Sequence, residues 1–168
     1  MKIKAVSIDP MNPALVLGLS LVTVGLFLPF WIYLKNREFE TLCEEEAPHS
    51  ARGIILLFVL PLLWLFISQI MPKSIAIVGF AIILVLVLKY LFDFCEFYSQ
   101  LTKTHFFIYF TLFTTGVLGL YLTLFNTAFI IISLAFFLAV PLMQQELNML
   151  YKTLTLKREK KNFYNSYH

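Results

Sequence analysis

Residues 53–92 decide the fold of this chain, and they read GIILLFVLPLLWLFISQIMPKSIAIVGFAIILVLVLKYLF. As one helix this apolar stretch would be about 60 Å long, twice the hydrocarbon thickness of a bilayer. It must therefore fold back on itself, and its only polar break is Met-Pro-Lys-Ser at 71–74. The stretch predicts two membrane-spanning helices, at about 54–71 and 75–92.

Two further apolar stretches lie on either side of this one. Residues 13–34 follow Asn12, which can cap a helix, and Pro13 falls at the first helical position. Residues 105–143 are too long for one span and break only at Asn126-Thr127. They predict spans at 105–125 and 127–143, with a re-entrant pair as the alternative, and a tail at 144–168.

The composition agrees with a membrane protein. Hydrophobic residues make up 60% of the 168 residues and charged residues 14%, whereas soluble domains have about a quarter of their residues charged. The chain, residues 1–168, is thus predicted to be a single all-α domain. It is an integral membrane bundle of about five transmembrane helices, arranged 1 + 2 + 2, with amphipathic helix extensions on the cytosolic side.

The distribution of basic residues predicts the orientation. All Lys and Arg residues except Lys2, Lys4 and Lys73 fall on the same side of the predicted spans. By the positive-inside rule that side is cytosolic, which predicts a multi-pass protein of the cytoplasmic membrane with a cytosolic C-terminus. A net charge of only +3, with no basic and aromatic residues interleaved in polar sequence, predicts no nucleic-acid binding.

Spans one, three and five each continue into a polar segment with the same order of residue types. The order is a carboxylate followed by apolar residues at helical spacing, and we call these segments, at 38–43, 93–98 and 146–151, the three polar extensions. They predict a cytosolic collar of helices that pack together or bind a partner, although a chain rich in Leu and Phe also produces such stripes by chance. The candidate interaction residues are Glu38, Asp93, Glu146, Leu147, Leu150, Tyr151 and Leu154.

Small residues at four-residue spacing predict where the spans pack, because they let helix backbones approach closely in lipid. Such contacts can lie within one chain or between copies of it. The candidate packing positions are Gly18, Gly25, Thr115, Gly116, Gly119, Ala135 and Ala139.

Residues 23–31 (TVGLFLPFW) resemble the first-helix signature T-x-G-x-[YF]-x-x-[YF]-W of a family of small prokaryotic multi-pass membrane proteins. That family is catalogued only as a domain of unknown function. Residues 114–121 (TTGVLGLY) are similar to a second, fainter copy, and residues 145–148 (QELN) to the polar element that follows the family's first helix. The resemblance implies a small α-helical membrane protein with an internal duplication, and it implies no activity.

The sequence contains no recognisable pattern for catalysis. His49, His105 and His168 are scattered, and there is no HExxH, GxSxG or Gly-rich phosphate loop. We therefore expect no catalytic, cofactor-binding or metal-binding residues and no cofactor.

The predicted function is a non-enzymatic membrane subunit or scaffold. It would contact the lipid bilayer and pack with another membrane protein, a cytosolic protein or a second copy of itself. The alternative is a small oligomeric channel or transporter that uses the polar face of Lys89, Asp93 and Glu96, where Lys89 and Asp93 could pair.

Overall fold

The computed structural model describes residues 10–23, 27–43, 48–123 and 130–166. Within these ranges all regular secondary structure is helical, which confirms the all-α class. Six helices follow one another: α1 Pro13–Val22, α2 Phe27–Leu42, α3 Ser50–Ser68, α4 Lys73–Thr102, α5 Phe106–Thr123 and α6 Ile130–Ser166.

Helices α3 and α4 form the predicted hairpin. The chain turns at 69–72, where Pro72 caps the start of α4, as the polar break in the sequence predicts. In α3 a π-helical segment, Ile55–Val59, precedes Pro61. The wider turn accommodates a proline, which has no N–H to donate and whose ring crowds the carbonyl four residues before it. Within the described ranges, α3 and α4 are the two helices long and apolar enough to cross a membrane.

The stretch predicted as the first span, 13–34, contains α1 and the first part of α2. Asn12 caps α1 as expected, with its side chain accepting a hydrogen bond from the backbone N–H of Ala14 at 2.9 Å. However, α1 ends at Val22, and the Thr23 hydroxyl accepts a hydrogen bond from the N–H of Phe27, where α2 begins. Pro29 explains the restart, because proline is tolerated in the first turn of a helix and not in its interior.

Helices α5 and α6 pack against each other along their lengths. Helix α5 lies within the stretch predicted as the fourth span, 105–125, and α6 continues without interruption from Ile130, in the last predicted span, through the tail to Ser166. The turn predicted at Asn126-Thr127 lies outside the described residues.

The core lies toward one end of the molecule. The buried residues of α4 all lie between Ile83 and Leu101, away from the turn of the hairpin, where they meet side chains of α2, α5 and α6. By contrast, the end of the α3–α4 hairpin nearest the turn leaves large apolar side chains exposed, including Phe66 and Ile70.

Candidate functional site: the extension cluster and the charged cleft

The three polar extensions pack together at the core end of the molecule. The Phe39 ring of α2 lies 6.1 Å from the Phe94 ring and 5.4 Å from the Phe97 ring of α4, measured between centroids. On α6, Leu147 and Tyr151 are buried in the same core. We call this group of buried side chains, together with the polar residues bonded within it, the extension cluster.

Tyrosine hydroxyls in the extension cluster bind carboxylates of other extensions. Tyr98 on α4 donates to Glu146 Oε2 on α6 at 2.7 Å, and Tyr151 on α6 donates to Glu38 Oε2 on α2 at 2.9 Å. Each tyrosine stands five residues after the carboxylate of its own extension and binds the carboxylate of another. The hydrogen bonds therefore link the extensions in the order α4, α6, α2.

These contacts keep both tyrosines protonated. Burial raises the pKa of Tyr98 well above its ordinary value, and the hydrogen bond and charge of Glu146 raise it further. Burial likewise raises the pKa of Tyr151, and the charge and hydrogen bond of Glu38 add to that rise. A neutral phenol can donate to a carboxylate, whereas a phenolate cannot.

Lys35 completes the bonding around Glu38. Its side chain is fully buried, and its Nζ donates to both carboxylate oxygens of Glu38, at 2.8 and 2.7 Å. Burial lowers the pKa of the Lys35 ammonium, and the charge and hydrogen bonds of Glu38 raise it in opposition. The three-residue spacing between Lys35 and Glu38 is the sequence signal for this pair, because residues three apart are neighbours on a helix.

A chain of amide hydrogen bonds ties α2 and α6 to the segment before α1. Trp31 Nε1 donates to Gln144 Oε1 at 3.0 Å, and Gln144 Nε2 donates to Asn148 Oδ1 at 2.8 Å. Asn148 Nδ2 then donates to the carbonyl of Met11 at 2.7 Å. Trp31 is thus an internal hydrogen-bond donor.

One amide in this region is only half satisfied. Asn36 is fully buried and donates through Nδ2 to the hydroxyl of Tyr90, but its Oδ1 has no hydrogen-bond partner among the described residues. A buried acceptor without a donor costs stability.

The remaining candidate interaction residues lie at the edges of the extension cluster. Leu150 and Leu154 are half-buried on α6, beside the buried Leu147 and Tyr151. Asp93 is exposed and does not share the buried surroundings of Glu38 and Glu146, because it points into a cleft between α3 and α4.

The predicted packing positions divide between the helices. Gly116, Gly119 and Ala139 are buried and Thr115 is half-buried, in the α5–α6 pair. A Cβ atom added at Gly18 would meet nothing within 4 Å, so none of the described helices approaches α1 closely there. Gly25 lies outside the described residues, and so does the side chain of Ala135.

A close helix contact that the sequence did not indicate involves Gly79. The Trp64 indole of α3 lies directly against this glycine of α4, where any Cβ would clash with the ring. Trp64 Nε1 also donates to the carbonyl of Ala76 at 3.1 Å. The two contacts fix α3 against α4 within the hairpin.

The cleft beside the extension cluster has a volume of about 650 Å³. It separates the first turns of α3 from the second half of α4, and we call it the charged cleft. Its ionisable lining residues are His49, Arg52, Lys89, Asp93 and Glu96.

The charges in this cleft are not paired with one another. Among the described residues, salt bridges join Lys35 to Glu38 and, at 3.9 Å, Glu40 to His49. The Lys89–Asp93 pair that the sequence suggested is not formed. In the same part of the chain, no group of three or more His, Cys, Asp or Glu side chains is placed to hold a metal ion.

Over the part of the chain that the structure describes, the protein is all-helical, with two helices long and apolar enough to cross a membrane and a hydrogen-bonded polar cluster at one end. Residues 11–128 match the family described as Domain of unknown function (DUF4234), and the chain belongs to that family. The match confirms the family resemblance of the sequence. No curated protein and no solved structure matches the chain.

Proposed function

We propose that this protein is a non-enzymatic scaffold or subunit of the cytoplasmic membrane, and that it packs with another membrane protein through the α3–α4 hairpin. The proposal includes five spans and a cytosolic C-terminus, for which the distribution of Lys and Arg gives the reason. On this topology the extension cluster and the charged cleft lie on the cytosolic side.

The uncovered apolar surface of the hairpin carries this proposal. In the most apolar part of α3 only 6% of the residues are buried within the chain, and in that of α4 only 28%. Phe66, Ile70 and Val85 are 74%, 89% and 64% exposed. A continuous apolar surface of this kind requires lipid or an apolar partner, so the hairpin offers a face for the helices of another membrane protein.

The positions of the polar groups favour a scaffold over a channel or transporter. Residues 54–72 and 74–88 contain no Asp, Glu, Lys, Arg or His. The buried Lys35 and Gln144 lie at the core end and bond to neighbours within the chain. Transport of ions or polar solutes needs polar groups along the path through the membrane, and this hairpin has its charges at its ends.

Site-specific photo-crosslinking in cells tests the proposal. A photoreactive amino acid at Phe66 or Val85, both exposed, should give a discrete protein adduct on illumination. The same amino acid at Phe94, which is fully buried in the extension cluster, is the matched control and should give none. Adducts with lipid alone at Phe66 and Val85 would contradict a partner on this face.

A further inference from the structure

The charged cleft has an ordered arrangement of apolar, basic and acidic residues. On α4, Leu86, Lys89, Asp93 and Glu96 follow one another at three- and four-residue spacing and all line the cleft. This spacing places them along one face of the helix. Along this wall, moving away from the turn of the hairpin, an apolar residue is therefore followed by a basic residue and then by two acidic residues.

The opposite wall repeats the first two steps of this order. Leu56 and Arg52 of α3 line the cleft, and α3 runs antiparallel to α4 from the turn at 69–72. Counted from that turn, Arg52 is as far along the chain as Lys89, and the positions of Leu56 and Leu86 differ by one residue. The Tyr90 ring lies against Gly53, which supports the same register. The two basic residues thus lie at one level, next to the two leucines.

We propose that the charged cleft binds a phospholipid whose headgroup carries a phosphate and a primary ammonium group. The inference rests on the proposed membrane insertion of the α3–α4 hairpin. In such a lipid the phosphate is joined to the glycerol near the acyl chains, and the ammonium lies farther out. Arg52 and Lys89 bind the phosphate beside the apolar level, and Asp93 and Glu96 accept hydrogen bonds from the ammonium.

The charge state of the cleft favours this ligand over a purely anionic one. Arg52, Lys89, Asp93 and Glu96 are exposed and form no salt bridge with one another or with other described residues. Phosphatidylglycerol carries the same phosphate, but its outer group is an uncharged glycerol, which provides no positive charge for the two carboxylates. The trimethylammonium group of phosphatidylcholine has no N–H to donate. Phosphatidylethanolamine, which has a primary ammonium group, therefore fits Asp93 and Glu96 better than phosphatidylcholine does. The cleft volume of about 650 Å³ lies within the usual range of ligand sites.

Lipid titration of the full-length protein in detergent, followed by native mass spectrometry, tests the site. Short-chain phosphatidylethanolamine should bind about tenfold more tightly than phosphatidylglycerol, the effect of one hydrogen-bonded charge. The Arg52→Gln variant should weaken the binding of both lipids. The double variant Asp93→Asn, Glu96→Gln should weaken phosphatidylethanolamine alone. The control Arg37→Gln changes an exposed arginine of α2 outside the cleft lining and should bind like the wild type.

Two results would overturn the lipid site. One is equal binding of both lipids by the wild type, or cleft variants that behave like the Arg37→Gln control. The other is soluble phosphoethanolamine competing as well as the lipid, which would make the ligand a water-soluble phosphate. Recovery of the wild-type chain from cells in the soluble fraction would instead overturn the proposed membrane function, so the two failures are distinguishable.

Discussion

Replacing Glu38 with alanine should destabilise the protein strongly. The change removes the acceptor of three hydrogen bonds, two from Lys35 at 2.8 and 2.7 Å and one from Tyr151 at 2.9 Å. It leaves the ammonium of Lys35 buried without a counter-charge. Breaking a buried ion pair in this way costs about 3–5 kcal/mol. Because the Glu38 side chain is 26% exposed, we expect the lower end, about 3 kcal/mol.

The two cysteines provide the assay. Cys43 and Cys95 are both buried, so a dye that becomes fluorescent on reaction with thiols reports unfolding of the protein in detergent. At roughly 2–4 °C per kcal/mol for a chain of this length, Glu38→Ala should lower Tm by about 6–12 °C.

Matched variants separate the buried charge from other effects of the substitution. Arg37→Ala, at the neighbouring exposed position of α2, should change the stability by less than about 0.5 kcal/mol. The double variant Lys35→Met, Glu38→Leu removes both charges and should recover most of the loss, because an apolar pair of similar size replaces a buried ion pair at little cost. A Tm for Glu38→Ala within the error of the Arg37→Ala value would refute this reasoning.

Two further predictions concern pH and helix contacts. The pKa values of Tyr98 and Tyr151 are higher in the folded protein than the ordinary tyrosine value of about 10. Their contribution to stability is therefore fully present below about pH 10 and is lost as the pH rises above that value. When the pH is raised through that value, Tm should therefore fall less for the double variant Tyr98→Phe, Tyr151→Phe than for the wild type. An equal fall of Tm in the two proteins would contradict a stabilising role of these two hydroxyl groups. Gly79→Ala should lower the stability by about 1–3 kcal/mol, since its Cβ would overlap the Trp64 ring. Gly18→Ala is its control, because the added Cβ meets nothing within 4 Å, and this variant should raise the stability by up to about 1 kcal/mol in the same thiol assay. Equal shifts in stability for the two variants would count against the contact between Gly79 and Trp64.

The hairpin could be predicted from the sequence because length and one polar break suffice for it. A predominantly apolar stretch of 40 residues at 53–92 cannot remain one helix in a bilayer, and Pro72 marks the turn that the structure contains. The break between α1 and α2 was missed because the prediction counted apolar residues over 13–34. Pro29 was the available signal, since proline is disfavoured in the interior of a helix and this one lies 16 residues after the helix start at Pro13.

The extension cluster could be predicted only in part. Helical periodicity places Leu147 and Tyr151 on one apolar face, and both are buried. Periodicity cannot say which helix that face meets, so the bonds from Tyr98 to Glu146 and from Tyr151 to Glu38 were not foreseen. The burial of Lys35 was missed for the same reason, because it depends on how α2 packs against the other helices.

The central claim is that the α3–α4 hairpin spans the membrane, and single-cysteine labelling tests it most directly. Ser74, at the turn, and Gln100, near the end of α4, are both exposed and lie about 39 Å apart along the helix at 1.5 Å per residue. In a background with the two buried cysteines replaced by serine, a membrane-impermeant thiol reagent should label Ser74→Cys in intact cells. It should label Gln100→Cys only after the membrane is permeabilised. Labelling of both positions in intact cells, or of neither, would contradict a hairpin that crosses the membrane.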